Sequence, residues 1–206
     1  MSGRGKVDAK IVMLGSVGVG KTSLLNRHVH GKFQKTESTI GASFALRNYE
    51  GYKMGIWDTA GEEKYDSLSS FYCRGARAAV ICYDICDRYS FEAVPRFLKK
   101  LEQDSTAPDV IKVIVGTKLD LVQEGEKERC VSRKDGQTFA RNENARFFET
   151  SAKDNLHVDE VFDSIYAQIV AMQPQNKISQ RPDSIRLEEN ESPSANERNG
   201  RGGGCC

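Results

Sequence analysis

Residues 15–22, Gly15-Ser16-Val17-Gly18-Val19-Gly20-Lys21-Thr22, have the composition and spacing of a loop that wraps phosphate. Glycines let the backbone turn tightly enough for successive N–H groups to face anionic oxygens. Lys21 can reach terminal phosphates, and the Thr22 hydroxyl can ligate Mg²⁺. The apolar run Ile11-Val12-Met13-Leu14 precedes the loop. Ser23-Leu24-Leu25-Asn26-Arg27 follows and opens a helix whose positive end faces the same anion. Taken alone, such a stretch also suits a plain glycine-rich turn between strand and helix.

Further groups follow in order. Thr39-Ile40-Gly41 supplies a second hydroxyl for Mg²⁺. Asp58-Thr59-Ala60-Gly61 sets a carboxylate at the end of an apolar segment, where it can hold the ion's hydration shell. Gly61 offers a γ-phosphate its backbone N–H with no side chain in the way. In Thr117-Lys118-Leu119-Asp120 the carboxylate of Asp120 can accept hydrogen bonds from N1–H and the exocyclic amine of guanine. Adenine presents a lone pair at N1 and nothing at C2, so the same carboxylate would reject it. Ser151-Ala152-Lys153, after Phe147-Phe148-Glu149-Thr150, can place a backbone N–H near the guanine O6.

The elements that must hold these groups are legible in outline. Apolar runs at 10–14, 78–84 and 110–116 are continuous rather than alternating, as in strands covered on both faces. Helical patterns lie near 21–30, 89–103, 133–143 and 157–172, and the alternation predicts a mostly parallel sheet with helices on both sides. Segments 42–49 and 52–58 flank Glu50-Gly51 and predict an antiparallel hairpin. Residues 173–206, rich in Asn, Ser, Pro, Gln and charge, cannot bury enough surface to fold alone and predict a flexible tail.

In 206 residues with a net charge of +1 there is room for one sizeable core and no charge excess that would invite nucleic acid. No segment reads as a signal peptide or a membrane span, and Ser2 stands where myristoylation needs glycine. Of six cysteines, Cys73, Cys82, Cys86 and Cys130 are scattered and read as reduced thiols, with no metal-ligand array. His28, His30 and His157 read as surface or packing residues. The sequence reads as cytosolic.

The five motifs together resemble the Ras-superfamily small GTPases over residues 7–172. The resemblance implies a three-layer α/β P-loop GTPase domain: a six-stranded, mostly parallel sheet with five helices, binding Mg²⁺·GTP or GDP at the strands' C-terminal edge. Val17, Gly18, Val19, Gly20, Lys21, Thr22 and Ser23 would cradle phosphates, and Thr22, Thr39 and Asp58 would hold the metal. Thr117, Lys118, Asp120, Ser151, Ala152 and Lys153 would surround the base, with Phe33 packing on it. Lys21, Gly61 and Glu62 would serve hydrolysis. Two switch segments fall at about 31–44 and 60–76.

Within that superfamily, Ile40-Gly41-Ala42-Ser43-Phe44, Lys53-Met54-Gly55-Ile56-Trp57-Asp58, residues 65–76 and Cys82-Tyr83-Asp84-Ile85 with Ser90-Phe91 resemble the Rab signature segments. Cys205-Cys206 ends the chain as in Rabs that carry two geranylgeranyl groups, with no C-a-a-X box. This implies vesicle and membrane trafficking, and effectors reading Phe44, Trp57 and Tyr72. It also implies an exchange factor, a GTPase-activating protein, a Rab escort protein, a GDP-dissociation inhibitor, and the cytoplasmic face of an internal membrane, endosomal or phagosomal.

Three departures bear on rate. Glu62 replaces the usual Gln; ionised, it only accepts hydrogen bonds and sets charge beside phosphate, or else acts as a weak base. Val17 puts a branched side chain where the attacking water or a partner's arginine must fit. Thr117 replaces Asn, and a single hydroxyl is expected to reach guanine N7 without also bracing the phosphate loop, so nucleotide should leave faster. Slow hydrolysis follows, with two alternatives open: a GTP-loaded membrane scaffold with negligible hydrolysis, and an ATP-dependent P-loop enzyme.

Overall fold

The computed structural model describes residues 7–34, 36–61, 71–107 and 109–172. The element order is β1 (Ala9–Leu14), α1 (Lys21–His30), β2 (Ala42–Tyr49), β3 (Tyr52–Thr59), β4 (Ala78–Asp84), α2 (Arg88–Glu92), α3 (Val94–Asp104), β5 (Ile111–Thr117), α4 (Leu119–Gln123), α5 (Arg133–Asn142), β6 (Arg146–Glu149) and α6 (Val158–Ala171). The sheet has six strands in the order β2-β3-β1-β4-β5-β6. Only the β2–β3 pair is antiparallel. Their turn is Glu50-Gly51, both at positive φ (46° and 80°), which matches the right-handed twist of the flanking strands.

Each central strand is buried on both faces, and alternation divides its side chains between two helical layers. Ile11, Met13, Val80 and Val113 pack with Leu24 of α1 and with Val161, Phe162 and Ile165 of α6. Val12, Leu14, Ile81 and Ile114 pack with Phe97, Leu98 and Leu101 of α3 and Ala140 of α5. Period-two strands between two helical layers make a three-layer α/β fold.

The predicted helix over 89–103 is divided at Ala93. Pro95 has no N–H to give the Phe91 carbonyl, so the chain tightens there, with Arg96 N–H reaching Ala93 O at 3.1 Å. The five-residue helix α4 has no counterpart among the sequence expectations. Its first residues belong to the Thr117–Asp120 motif, which therefore turns from strand directly into helix.

β1, β3, β4, β5 and β6 run parallel, so the motif loops after β1, β3, β5 and β6 gather at one edge of the sheet. Register sets their spacing: Met13 lies opposite Asp58, and Gly116 opposite Glu149. Chain connections diverge on either side of β1, which opens a crevice at the carboxyl edge of the sheet.

Candidate nucleotide site

That crevice is a cleft of about 380 Å³. Its wall includes Val17, Gly18, Gly20, Lys21, Thr22 and Ser23 at one end, Thr39 and Gly61 beside them, and Phe33, Thr117, Lys118, Asp120, Ala152 and Lys153 at the other. Residues from five separate motifs therefore share one wall. Val19, Asp58 and Ser151 are placed just behind it, all buried.

The phosphate-loop end is built from backbone. Gly20 caps α1 at φ 93°, a conformation costly for any other residue, and no side chain caps the helix there. The first N–H groups of α1 consequently remain available to an anion. Lys21 is buried, and its Nζ donates to the carbonyls of Gly15 (2.7 Å) and Ser16 (2.9 Å), which aims the side chain along the loop. Burial pulls its ammonium pKa down, while the neighbouring Cys82 and Asp58 pull it back up. Gly61 passes so close that a Cβ there would lie 2.3 Å from Val17 N and 2.4 Å from the Ser16 carbonyl carbon. No side chain fits at that approach.

Three oxygens converge beside Lys21. Thr22 Oγ1 donates to Asp58 Oδ2 at 2.7 Å and lies 2.9 Å from Thr39 Oγ1, which is itself 3.4 Å from Asp58 Oδ2. Asp58 is fully buried; burial pushes its carboxyl pKa up, and the Thr22 hydrogen bond and Lys21 oppose that shift. Among the described residues its second oxygen, Oδ1, has no hydrogen-bond partner. A buried carboxylate oxygen left in this state is expensive. Two hydroxyls and a carboxylate with one oxygen left unpartnered fit a hard divalent cation.

At the far end Asp120 is buried and lines the cleft from the first turn of α4. Lys118 holds a left-handed backbone (φ 64°), and its Nζ pairs with buried Asp84 at 2.8 Å. Phe33 stands half exposed on the rim. Ser151 Oγ accepts from Asp154 N–H at 2.9 Å, and its backbone pairs with Leu156 in both directions. The serine thus shapes the loop, and Ala152 and Lys153 reach the cleft.

Thr117 departs from the sequence expectation. Its hydroxyl lies 2.6 Å from the Val19 carbonyl and 2.9 Å from that of Tyr83. It therefore does brace the phosphate loop, and its one proton is engaged there rather than directed at a base nitrogen. Sequence reasoning missed Arg27 altogether. From the last turn of α1 it donates to Ala152 O (2.6 Å), Lys153 O (2.9 Å) and Gly31 O (2.7 Å), tying the phosphate-loop helix to the base loop. Nothing local to Arg27 signals a partner so distant in the chain.

His28 is a packing residue, stacked on Phe162 with ring centroids 4.0 Å apart. Around the switches, Phe44 and Trp57 contact each other at 4.7 Å, and Lys10 lies over the Trp57 ring at 5.0 Å. Phe44 and Phe71 are exposed, while Tyr72 packs in part against the core. Glu62, most of the second switch, Cys205 and Cys206 lie outside the described residues.

Residues 10–171 match the Ras family. The chain is 39% identical to the Ras-related protein RABF2b of Arabidopsis thaliana over 84% of its own length and 86% of the relative's. It is 35% identical to Rab-10 of Caenorhabditis elegans (96% and 95% of the two chains) and 33% identical to human Rab-20 (98% and 99%). The chain belongs to the Ras family, as a divergent Rab-like member. It is accordingly a GTP-binding switch with GTPase activity, and it binds guanine nucleotide.

Proposed function

We propose that the protein is a Rab-type switch on internal membranes, binding Mg²⁺·GTP in this cleft, hydrolysing it slowly and recruiting effectors for vesicle trafficking while loaded. The observation that carries this reading is the convergence of Thr22, Thr39 and Asp58, with Asp58 Oδ1 left unpartnered beside Lys21. Those three residues would hold Mg²⁺, which supplies positive charge against the phosphate oxygens when bound. Lys21 and the loop N–H groups neutralise phosphate charge, Gly61 presents its N–H to the terminal phosphate, and Asp120 selects guanine. Lys118 and the backbone of Ala152 and Lys153 complete the base end, with Phe33 closing over it.

Slow hydrolysis rests on two residues. Val17 is half exposed on the cleft rim, beside the segment where Gly61 packs. Glu62, one position after Gly61 in the sequence, would set a negative group next to negative oxygens. The partners would be effectors docking at Phe44, Trp57 and Tyr72, an exchange factor, a GTPase-activating protein, and the escort and dissociation-inhibitor proteins that handle a lipidated tail. Geranylgeranyl groups on Cys205 and Cys206 would hold the domain, residues 7–172, to the cytoplasmic face of an endosomal or phagosomal membrane.

Two measurements test this. Labelled GTP should resist competition by excess ATP, and Asp120→Ala should erode that preference by about tenfold or more, since hydrogen bonds to charged groups contribute about 1.5–3 kcal/mol. Equal competition by ATP would favour the ATP-dependent alternative. Single-turnover hydrolysis of preloaded GTP should run at or below roughly 10⁻⁴ s⁻¹ and rise in Glu62→Gln with an activating protein present. A fast wild type would remove the role given to Val17 and Glu62. No turnover in any condition would favour the GTP-loaded scaffold.

A further inference from the structure

Two cysteines that the nucleotide chemistry does not use lie on segments joined by backbone hydrogen bonds. Cys86 follows β4 and Cys130 precedes α5, so 44 positions of chain numbering separate them. The backbone closes that gap: Cys130 N–H donates to the Ile85 carbonyl at 2.9 Å, and Val131 N–H donates to the same oxygen at 3.0 Å. Ile85 and Val131 are fully buried and anchor both segments from beneath. Cys86 is half-buried and Cys130 exposed, both as reduced thiols. The carbonyl that accepts the Cys130 N–H adjoins Cys86, which brings the two backbones close enough for the separations a disulfide spans.

The surroundings connect this pair to the nucleotide pocket. The N–H of Cys86 donates to Asp84 Oδ1 at 2.9 Å, and Asp84 Oδ2 holds Lys118 at 2.8 Å. On the other side Arg129, next to Cys130, pairs through both amino groups with buried Glu149, which leads directly into the Thr150–Lys153 base loop. Burial first, and the Asp84 carboxylate second, push the Cys86 thiol pKa up; Lys127 lowers it, and the Cys130 sulfur adds to the rise.

We propose that Cys86 and Cys130 are a redox modification site, forming a reversible disulfide under hydroperoxide that ties the β4–α2 corner to the segment before α5. Exposed Cys130, as thiolate, attacks one peroxide oxygen; the O–O bond breaks, hydroxide leaves, and a sulfenic acid remains. Cys86, losing its proton to water, attacks the sulfenic sulfur and expels hydroxide as the S–S bond forms. Two thiols are oxidised by two electrons, and one peroxide is reduced to two waters. An external dithiol reverses the step. In a reducing compartment such a bond is transient and regulatory rather than structural. The cross-link restrains the frame that holds Lys118 and the base loop, so it slows nucleotide release. This coupling rests on the guanine-pocket reading, whereas cross-linking does not, so the two fail separately.

The test uses the full-length GDP-loaded protein, treated with hydrogen peroxide and digested with trypsin without reduction. The expected product joins residues 78–88 to residues 130–133, lighter by two hydrogens than the separate peptides, with fragmentation assigning the bond to Cys86 rather than Cys82. Dithiothreitol should restore both peptides. Cys130→Ser, at an exposed position, and Cys86→Ser should each abolish the product. A fluorescent GDP analogue should leave the cross-linked protein severalfold more slowly than the reduced one, with no such difference in either serine variant. A bond through Cys82, Cys205 or Cys206 instead, or Cys130 recovered only as sulfinic acid, overturns the site. Equal release from cross-linked and reduced protein overturns the coupling.

Discussion

The Thr117 hydroxyl carries one proton and faces two carbonyls, those of Val19 and Tyr83, from a buried position. Removing it leaves the Val19 oxygen buried without a donor. Thr117→Val, which keeps the shape, should therefore cost about 1–3 kcal/mol in urea unfolding and speed release of a fluorescent nucleotide. A variant as stable and as retentive as wild type would show that the hydroxyl is not a brace. Gly61 makes the opposite point, since there the missing side chain matters. Gly61→Ala drives a methyl against the Ser16–Val17 backbone, so hydrolysis should fall well below wild type while folding, read by thermal melting, changes little. The clash is relieved by moving the Gly61 segment away from the loop, and so away from the terminal phosphate it is proposed to contact.

At the scale of elements, α1, β2 and α6 meet around His28. Its Nδ1 lies 2.7 Å from Asp159 Oδ1 and its Nε2 2.9 Å from Tyr49 OH, with Phe162 stacked on the ring. Arg47 and Asp163 also face the group. Burial dominates and lowers the His28 pKa, against the pull of Asp159. A histidine depressed in the folded state binds its proton more readily once unfolded. Stability is then complete above the unfolded value of about 6.5 and declines as pH falls from there toward the folded pKa. The urea midpoint should drop between pH 7.5 and 5.5, and the drop should shrink in His28→Gln. A midpoint flat with pH in wild type would assign the network to Asp159 rather than to burial.

For the whole molecule the proposed tail sets the mode of attachment. Lys177, Arg181, Arg186, Arg198 and Arg201 balance Asp183, Glu188, Glu189, Glu191 and Glu197, so anionic lipid has no net charge to attract. Among the described residues no helix is long and apolar enough to cross a membrane. Anchoring would then be by lipid, and one chain alone gives only marginal binding where two are stable. Cys205→Ser with Cys206→Ser should release the protein from membranes, either single change should weaken retention, and high salt should leave wild type bound. Salt-sensitive release would mean that charge, not lipid, holds it.

Much of the site was legible because its chemistry is local. The strand–loop–helix around Lys21, the Asp58–Gly61 turn and Asp120, proposed to select the base, each declare themselves within a few residues, by side-chain type and by glycine where backbone must approach a ligand. The continuous apolar strands and the Glu50-Gly51 hairpin turn were legible for the same reason. What the tertiary structure decided were partnerships set by register and packing. Which face Val12 or Met13 covers, the reach of Arg27 to Ala152, the bracing by Thr117 and the joining of Cys130 to the Ile85 carbonyl all depend on how distant strands align. Spacing along a chain constrains neighbours one helical turn or one strand pair away. A contact across a hundred residues exists only once the sheet that carries both partners has formed.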